Sequence, residues 1–137
     1  MRGNAAAEKW SAASWGAALI ALVLVLAACG NRPNSRSLML ASVPGGDASR
    51  GRQAILSYGC GSCHTIPGVP GADAAVGPPL SSFAYRHFIA GVLPNNADNL
   101  ITWIRTPQAV VPGNAMPDMG VTATDARNIA AYLATLK

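Results

Sequence analysis

The chain has few cysteine and histidine residues, from which many metal and redox sites are built. Its 137 residues include three cysteines and two histidines. The positive residues are scattered and form no basic run, so the net charge of +4 does not indicate nucleic-acid binding. The longest apolar run, residues 16–28, is shorter than the roughly 20 residues that a spanning helix needs. Residues 47–137 show no strand alternation, which favours a small all-α domain.

Residues 60 to 64 read Cys-Gly-Ser-Cys-His, the C-x-x-C-H pattern of c-type haem attachment. The thiols of Cys60 and Cys63 are spaced to reach the two vinyl groups on one porphyrin edge and form thioethers. His64 follows directly, where an imidazole nitrogen would be the proximal ligand of the iron. The pattern therefore predicts one covalent haem c, attached through Cys60 and Cys63.

The same cysteine spacing occurs in redox-active pairs and in halves of zinc sites. A redox pair is expected after a strand of a βαβ unit, which the flanking sequence does not suggest. A zinc site needs a second pair of ligands, and only Cys29 and His87 remain as further cysteine or histidine residues. Both interpretations stay open as alternatives to haem, and we expect His87 not to be a ligand.

The N-terminus has the pattern of a bacterial export signal. A positively charged start is followed by the apolar residues 16–28, and residues 26–30 read Leu-Ala-Ala-Cys-Gly. This resembles a lipobox, in which the cysteine is lipidated and becomes the new N-terminus. We expect residues 1–28 to be removed, and Cys29 to anchor an exported lipoprotein that faces the periplasm. An ordinary cleaved signal peptide and an uncleaved anchor are the alternatives.

The rest of the chain divides into a predicted tether and a predicted domain. Residues 29–46 contain Pro, Ser and Gly without an apolar period, which predicts a lipidated flexible tether. Residues 47–137 predict an all-α fold of three to four short helices wrapped around one covalently bound haem, which would complete the core of so small a domain. The predicted helices cover residues 47–58, 97–105 and 123–136, with Asp47, Asn96 and Thr122 as N-caps.

From residue 47 to residue 136 the sequence resembles the class I monohaem cytochromes c. Residues 77–80, Gly-Pro-Pro-Leu, are similar to the G-P-x-L loop of that family. The resemblance implies that the carbonyl of Pro78 accepts a hydrogen bond from the haem histidine, which orients the ring and strengthens it as a donor to iron.

The resemblance also implies a second axial ligand. Residues 112–117, Pro-Gly-Asn-Ala-Met-Pro, are similar to the family's P-G-x-x-M-P segment, which makes Met116 the expected distal ligand. Met119 and a ligand other than methionine are the alternatives. A methionine ligand raises the reduction potential relative to a second nitrogen ligand.

Three further residues are expected at the haem by the same resemblance. Arg86 would lie near a propionate, although a solvated surface arginine is the alternative. Trp103 would pack against the haem and the methionine, or simply in the core. Asn114 would bind a propionate or its own loop.

A narrower resemblance concerns residues 86–95, Asn99-Leu100 and Trp103-Ile104. These look like the cytochrome c domain fused to subunit II of some bacterial cytochrome c oxidases. We expect no counterpart of that subunit's copper-binding domain, since these 137 residues leave no room for it and contain no spare cysteine pair. We therefore expect this chain to be the electron-donating cytochrome c module in the form of a separate lipoprotein.

These patterns together predict a membrane-anchored electron carrier. We expect no enzymatic activity, because an iron with two permanent axial ligands offers no position to a small-molecule substrate. The expected partners are membrane-bound redox proteins, such as a terminal oxidase or a quinol-oxidising complex. The alternatives are a haem subunit of a periplasmic dehydrogenase complex, a haem enzyme or gas sensor, and a lipoprotein that haem merely stabilises.

Overall fold

The computed structural model of the protein describes residues 39–137. The predicted signal peptide, Cys29 and the first part of the predicted tether lie outside the described residues. Between residues 39 and 137, no helix has both the length and the apolar character needed to cross a membrane.

The described residues form a small helical domain, as the sequence predicts. Two 3₁₀ turns, Cys60–Ser62 and Phe83–Tyr85, separate the first helix from a two-stranded antiparallel hairpin in which Phe88 faces Pro94 and Ile89 faces Leu93. The hairpin and a one-turn helix at residues 107–110 are not evident in the sequence. In chain order the elements are α1 (Ala48–Ser57), β1 (Phe88–Ile89), β2 (Leu93–Pro94), α2 (Ala97–Arg105), α3 (Pro107–Val110) and α4 (Ala123–Leu133).

The three longer helices begin at the predicted N-caps. The carboxylate of Asp47 accepts hydrogen bonds from the backbone N–H groups of Ser49 and Arg50, at 2.8 and 3.1 Å. Asn96 accepts from the Asn99 N–H at 2.9 Å. Thr122 Oγ1 accepts from the Asp125 N–H at 3.1 Å. Each cap satisfies backbone donors that have no partner inside the helix.

Helices α1 and α4 cross in close contact. The crossing point is Gly51, where a Cβ would overlap the backbone carbonyl of Asn128. The side chain of Asn128 is buried, and its Oδ1 accepts from the Asp47 N–H at 3.0 Å, which ties α4 to the start of α1. Only glycine permits this approach of two helix backbones.

The core fills the space between these helices and the loops that connect them. Ile55 of α1, Leu100 and Ile104 of α2, and Ile129 and Leu133 of α4 are buried together in one apolar cluster. Side chains of this cluster also line one wall of a cavity, so the same packing that stabilises the fold shapes the site.

The predicted tether needs a correction over residues 39–46. Leu40 and Val43 are only 2% and 7% exposed and belong to the core. The backbone N–H groups of Met39 and Leu40 donate to the carbonyl of Ala84 at 2.8 and 3.0 Å. The burial of two apolar side chains and the two backbone hydrogen bonds stabilise an ordered conformation, although the Pro/Gly-rich composition favours a flexible one. The folded domain therefore begins before Asp47.

Candidate haem site

A single cavity of about 460 Å³ brings the predicted site residues together. Its lining is largely apolar, with contributions from α1, α2, α4 and the loops. His87 is exposed and does not line it. All eight residues expected at the haem do: Cys60, Cys63, His64, Pro78, Arg86, Trp103, Asn114 and Met116.

The Cys-Gly-Ser-Cys-His motif forms a tight turn directly after α1. Gly59 takes a left-handed conformation, with φ +69°, that ends the helix and starts the 3₁₀ turn. The N–H groups of Cys63 and His64 both donate to the Cys60 carbonyl, at 3.3 and 3.1 Å. This turn directs both cysteines and His64 to the same cavity. The motif thus follows a helix and not a strand, unlike the redox-pair alternative.

Neither motif cysteine forms a disulfide within the described residues, and both side chains are half-buried. Burial raises the pKa of the Cys60 thiol above its ordinary value, against an opposing backbone hydrogen bond. No cluster of three or more metal-binding side chains occurs among residues 39–137, so the described part of the chain offers no support for a zinc site.

His64 is held by a backbone carbonyl. Its Nδ1 lies 2.8 Å from the carbonyl oxygen of Pro78. Because a carbonyl can only accept, Nδ1 carries the proton and Nε2 keeps its lone pair for a metal. The contact is the one that the family resemblance implies for Pro78.

Gly77 allows the Pro78 segment to approach the imidazole. A Cβ on Gly77 would lie 2.5 Å from His64 Cε1 and 2.7 Å from Nδ1, closer than van der Waals contact permits. The Gly77 N–H donates to the Cys63 carbonyl at 2.7 Å, which fixes the segment against the motif. The side of the site that holds His64 is thus built mainly from backbone contacts.

Arg86 anchors the chain that follows Pro78. Its guanidinium donates to the carbonyls of Pro79 and Ser81, the latter at 3.2 Å, and lies 5.2 Å from the centroid of the Phe83 ring. Partial burial lowers the pKa of Arg86 from its ordinary value. The arginine lines the cavity and is not a freely solvated side chain, while its contact with a propionate stays a prediction.

Asn95 is a buried polar residue that the sequence does not single out. It is 5% exposed, and its Nδ2 donates to the carbonyls of Phe83 and Arg86, each at 3.0 Å. Its backbone N–H donates to the His87 carbonyl at 2.9 Å. Its Oδ1 is buried and accepts no hydrogen bond from the described residues. Asn95 therefore fixes the backbone on either side of Arg86.

On the methionine side of the cavity, Asn114 binds its own loop, one of its two expected roles. Its Oδ1 accepts from the Met116 N–H at 2.8 Å, and its Nδ2 donates to the carbonyls of Pro107 and Val111 at 3.0 and 2.7 Å. Met116 is half-buried, whereas Met119 is 41% exposed. Both line the cavity, but only Met116 has its backbone fixed in this way.

Gln108 of α3 is the second residue that sequence reasoning missed. Its Nε2 donates to the carbonyls of Asn114 at 2.9 Å and Met116 at 2.7 Å. Its Oε1 accepts from the Gly113 N–H at 3.0 Å, and its own N–H donates to Asp118 Oδ1 at 3.4 Å. No residue-type pattern in the sequence reveals these contacts.

Trp103 of α2 is half-buried, lines the cavity and packs against the core, so its two expected roles are compatible. The arrangement as a whole fits a c-type haem. Two cysteine side chains, an imidazole held through Nδ1 and a methionine line one apolar cavity. These are the donor types that attach and ligate such a group.

The family model for cytochrome c matches residues 48–137. Subunit 2 of cytochrome c oxidase from Alkalihalophilus pseudofirmus is 41% identical over 91 residues, which is 66% of this chain and 26% of that protein. The corresponding subunit from Bacillus sp. (strain PS3) is 38% identical over 66 residues, 47% of this chain and 18% of that protein. The subunit from Bacillus subtilis is 32% identical over 87 residues, 62% of this chain and 24% of that protein. The chain spans about a quarter of the length of these relatives or less.

Proposed function

Because this chain belongs to the cytochrome c family, whose domain implies covalent haem c, we propose that it carries single electrons on an iron held by His64 and Met116. Cys60 and Cys63 would hold the group through thioethers. When bound, haem supplies an iron that is reduced and reoxidised by one electron at a time. The fold contributes the ligands, their orientation and an apolar surrounding.

The observation that carries the proposal is the hydrogen bond between His64 Nδ1 and the Pro78 carbonyl. It fixes the tautomer that leaves Nε2 free, orients the ring and makes the imidazole a stronger donor. The two neighbouring thiols support covalent attachment beside this histidine.

Met116 is the second ligand in this proposal. Its half-buried side chain lines the cavity, and both of its backbone polar groups are held by side chains of Asn114 and Gln108. With both axial positions filled, the iron would offer no site to a substrate, which favours a carrier over an enzyme or gas sensor. Methionine ligation favours a high reduction potential.

We also propose a terminal oxidase as the electron acceptor. The support is the similarity to three proteins named cytochrome c oxidase subunit 2. The fused relatives place such a domain on the oxidase subunit itself, and a lipid on Cys29 would bring a separate domain to the same membrane. Confinement to a membrane surface raises the effective concentration of the partners.

The test is electron transfer from the reduced, lipidated mature protein to a purified terminal oxidase, followed as reoxidation in stopped-flow absorption. We expect rapid, saturable reoxidation of the parent and a parent-like rate for the control variant Met119→Leu, which keeps the proposed ligand Met116. No transfer to the oxidase at low salt, combined with rapid reduction by a periplasmic dehydrogenase, would favour the dehydrogenase-subunit alternative.

A further inference from the structure

The segment that carries Met116 has little secondary structure of its own. Residues 111–122 lie between α3 and α4, with Gly113 in a left-handed conformation at φ +79°. The Met116 N–H is bound by the side chain of Asn114 and the Met116 carbonyl by the side chain of Gln108. The position of Met116 therefore depends on two side-chain amides and not on a helix or sheet.

Gln108 makes the larger set of these contacts. Through its side chain and its N–H it binds Gly113, Asn114, Met116 and Asp118, which span the whole turn around the methionine. Gln108 is the second residue of α3. It follows Pro107, whose burial fixes the position of the helix backbone from which the glutamine side chain extends.

We call the three hydrogen bonds of the Gln108 side chain, to Gly113, Asn114 and Met116, the clamp. They require a side-chain amide of the length of glutamine. The side chain donates two hydrogen bonds through Nε2 and accepts one through Oε1. A glutamate has no donor for the two carbonyls, and a lysine or arginine has no acceptor for the Gly113 N–H. No other common side chain of similar size satisfies all three partners.

We propose that Gln108 is a positioning residue that sets how readily Met116 leaves the iron. By holding the turn at residues 113–118 against α3, it disfavours the opened loop from which the methionine could be displaced. This inference rests on the proposed ligation by His64 and Met116, and it adds a residue that controls the lability of the second ligand.

The test uses the full-length holoprotein in its oxidised form and three variants. Gln108→Ala removes the clamp, and Gln108→Glu retains the acceptor for Gly113 but removes both donors. Gln53→Ala is the matched control, because Gln53 is an exposed glutamine on α1 away from the cavity. The measurements are the near-infrared absorption band of methionine-ligated ferric haem and the affinity for added imidazole, which competes with the methionine.

We expect imidazole to bind about tenfold or more tightly to both Gln108 variants than to the parent, because two hydrogen bonds of ordinary net strength together correspond to a change of that size. The methionine band should weaken in both, while Gln53→Ala should match the parent. Parent-like affinity in both Gln108 variants would overturn the inference, even if their unfolding midpoints fall.

Absence of the methionine band from the parent would instead overturn the proposed ligation, and this inference with it. If neither Gln108 variant folds with haem, the proposal is tested on the parent protein by NMR. The side-chain amide protons of Gln108 should be protected from exchange in NMR spectra and lose protection when imidazole displaces the methionine. Equal protection with and without imidazole would contradict the proposal.

Discussion

The two sides of the candidate haem site are held by different kinds of contact. His64 is fixed by the backbone, through a 3₁₀ turn at residues 60–62, the Pro78 carbonyl and the close approach of Gly77. Met116 is fixed by the amide side chains of Gln108 and Asn114. Backbone constraints persist under most substitutions, whereas a side-chain clamp is lost with one. The methionine side is therefore expected to be the adjustable side of the site.

The largest effect is expected from adding a methyl group on the histidine side, in Gly77→Ala. The new Cβ would overlap the rigid His64 ring and push it away from the Pro78 carbonyl. We expect a loss of about 3 kcal/mol in the free energy of unfolding and a severalfold fall in covalent haem content. The measurements are denaturant unfolding and haem quantification per chain.

Gly91→Ala is the comparison for that change, because a Cβ there meets no atom within 4 Å although φ is +76°. It should lower the free energy of unfolding by about 1 kcal/mol, because alanine disfavours the left-handed conformation, and it should leave the haem content unchanged. Full haem content and parent stability in Gly77→Ala would show that the histidine side is not held by close backbone approach.

The next effect concerns the proposed methionine ligand, Met116. Met116→Leu keeps the apolar volume but removes the sulfur. We expect the reduction potential to fall by on the order of 0.1 V, a fraction of the range that axial ligands control. Met119→Leu should leave it unchanged, because Met119 is 41% exposed and its backbone is not held by the side chains of Asn114 and Gln108. Equal shifts in the two variants, measured by redox titration, would contradict the assignment.

A smaller effect is expected from Asn114→Ala. This change removes the acceptor of the Met116 N–H and two further hydrogen bonds, to the carbonyls of Pro107 in α3 and Val111. We expect a loss of about 1 kcal/mol in the free energy of unfolding and a more labile methionine, because part of the loop is solvated and water replaces some partners. Asn99→Ala, which removes a hydrogen bond from the half-buried Asn99 side chain of α2 to the Pro94 carbonyl, is the control. If Met116 is displaced no more readily in Asn114→Ala than in the parent, then Gln108 alone and not Asn114 holds the methionine.

The smallest effect lies outside both sides of the site. The Ser49 side chain, and then the Arg50 N–H, hold the pKa of Asp47 below its ordinary value. A lowered pKa means that the stabilisation is present above the unfolded-state pKa and is lost as the pH falls below about 4. Thermal unfolding of Asp47→Asn should depend less on pH in this acid range, with no change in the haem spectrum. An unchanged acid dependence would show that this cap does not titrate with folding.

Much of the histidine side could be predicted because its signals are local. The motif at residues 60–64 places three functional side chains within five positions, and the caps Asp47, Asn96 and Thr122 act on N–H groups two or three residues away. Family resemblance supplied the role of Pro78, and the observed contact with His64 agrees with it.

The contacts that escaped prediction are tertiary. Gln108 reaches loop residues five to ten positions away, and their path depends on how α3 packs. Leu40 and Val43 lie in a Pro/Gly-rich segment without apolar period, yet they are buried because Ala84 offers the backbone partner that holds the segment in place. Neither outcome can be read from composition.

The decisive measurement is near-infrared magnetic circular dichroism of the oxidised, full-length holoprotein, which identifies both axial ligands of a ferric haem. We predict a histidine–methionine spectrum in the parent that is retained in Met119→Leu and lost in Met116→Leu. A spectrum of two nitrogen ligands or of an open axial position in the parent, or an unchanged spectrum in Met116→Leu, would contradict it.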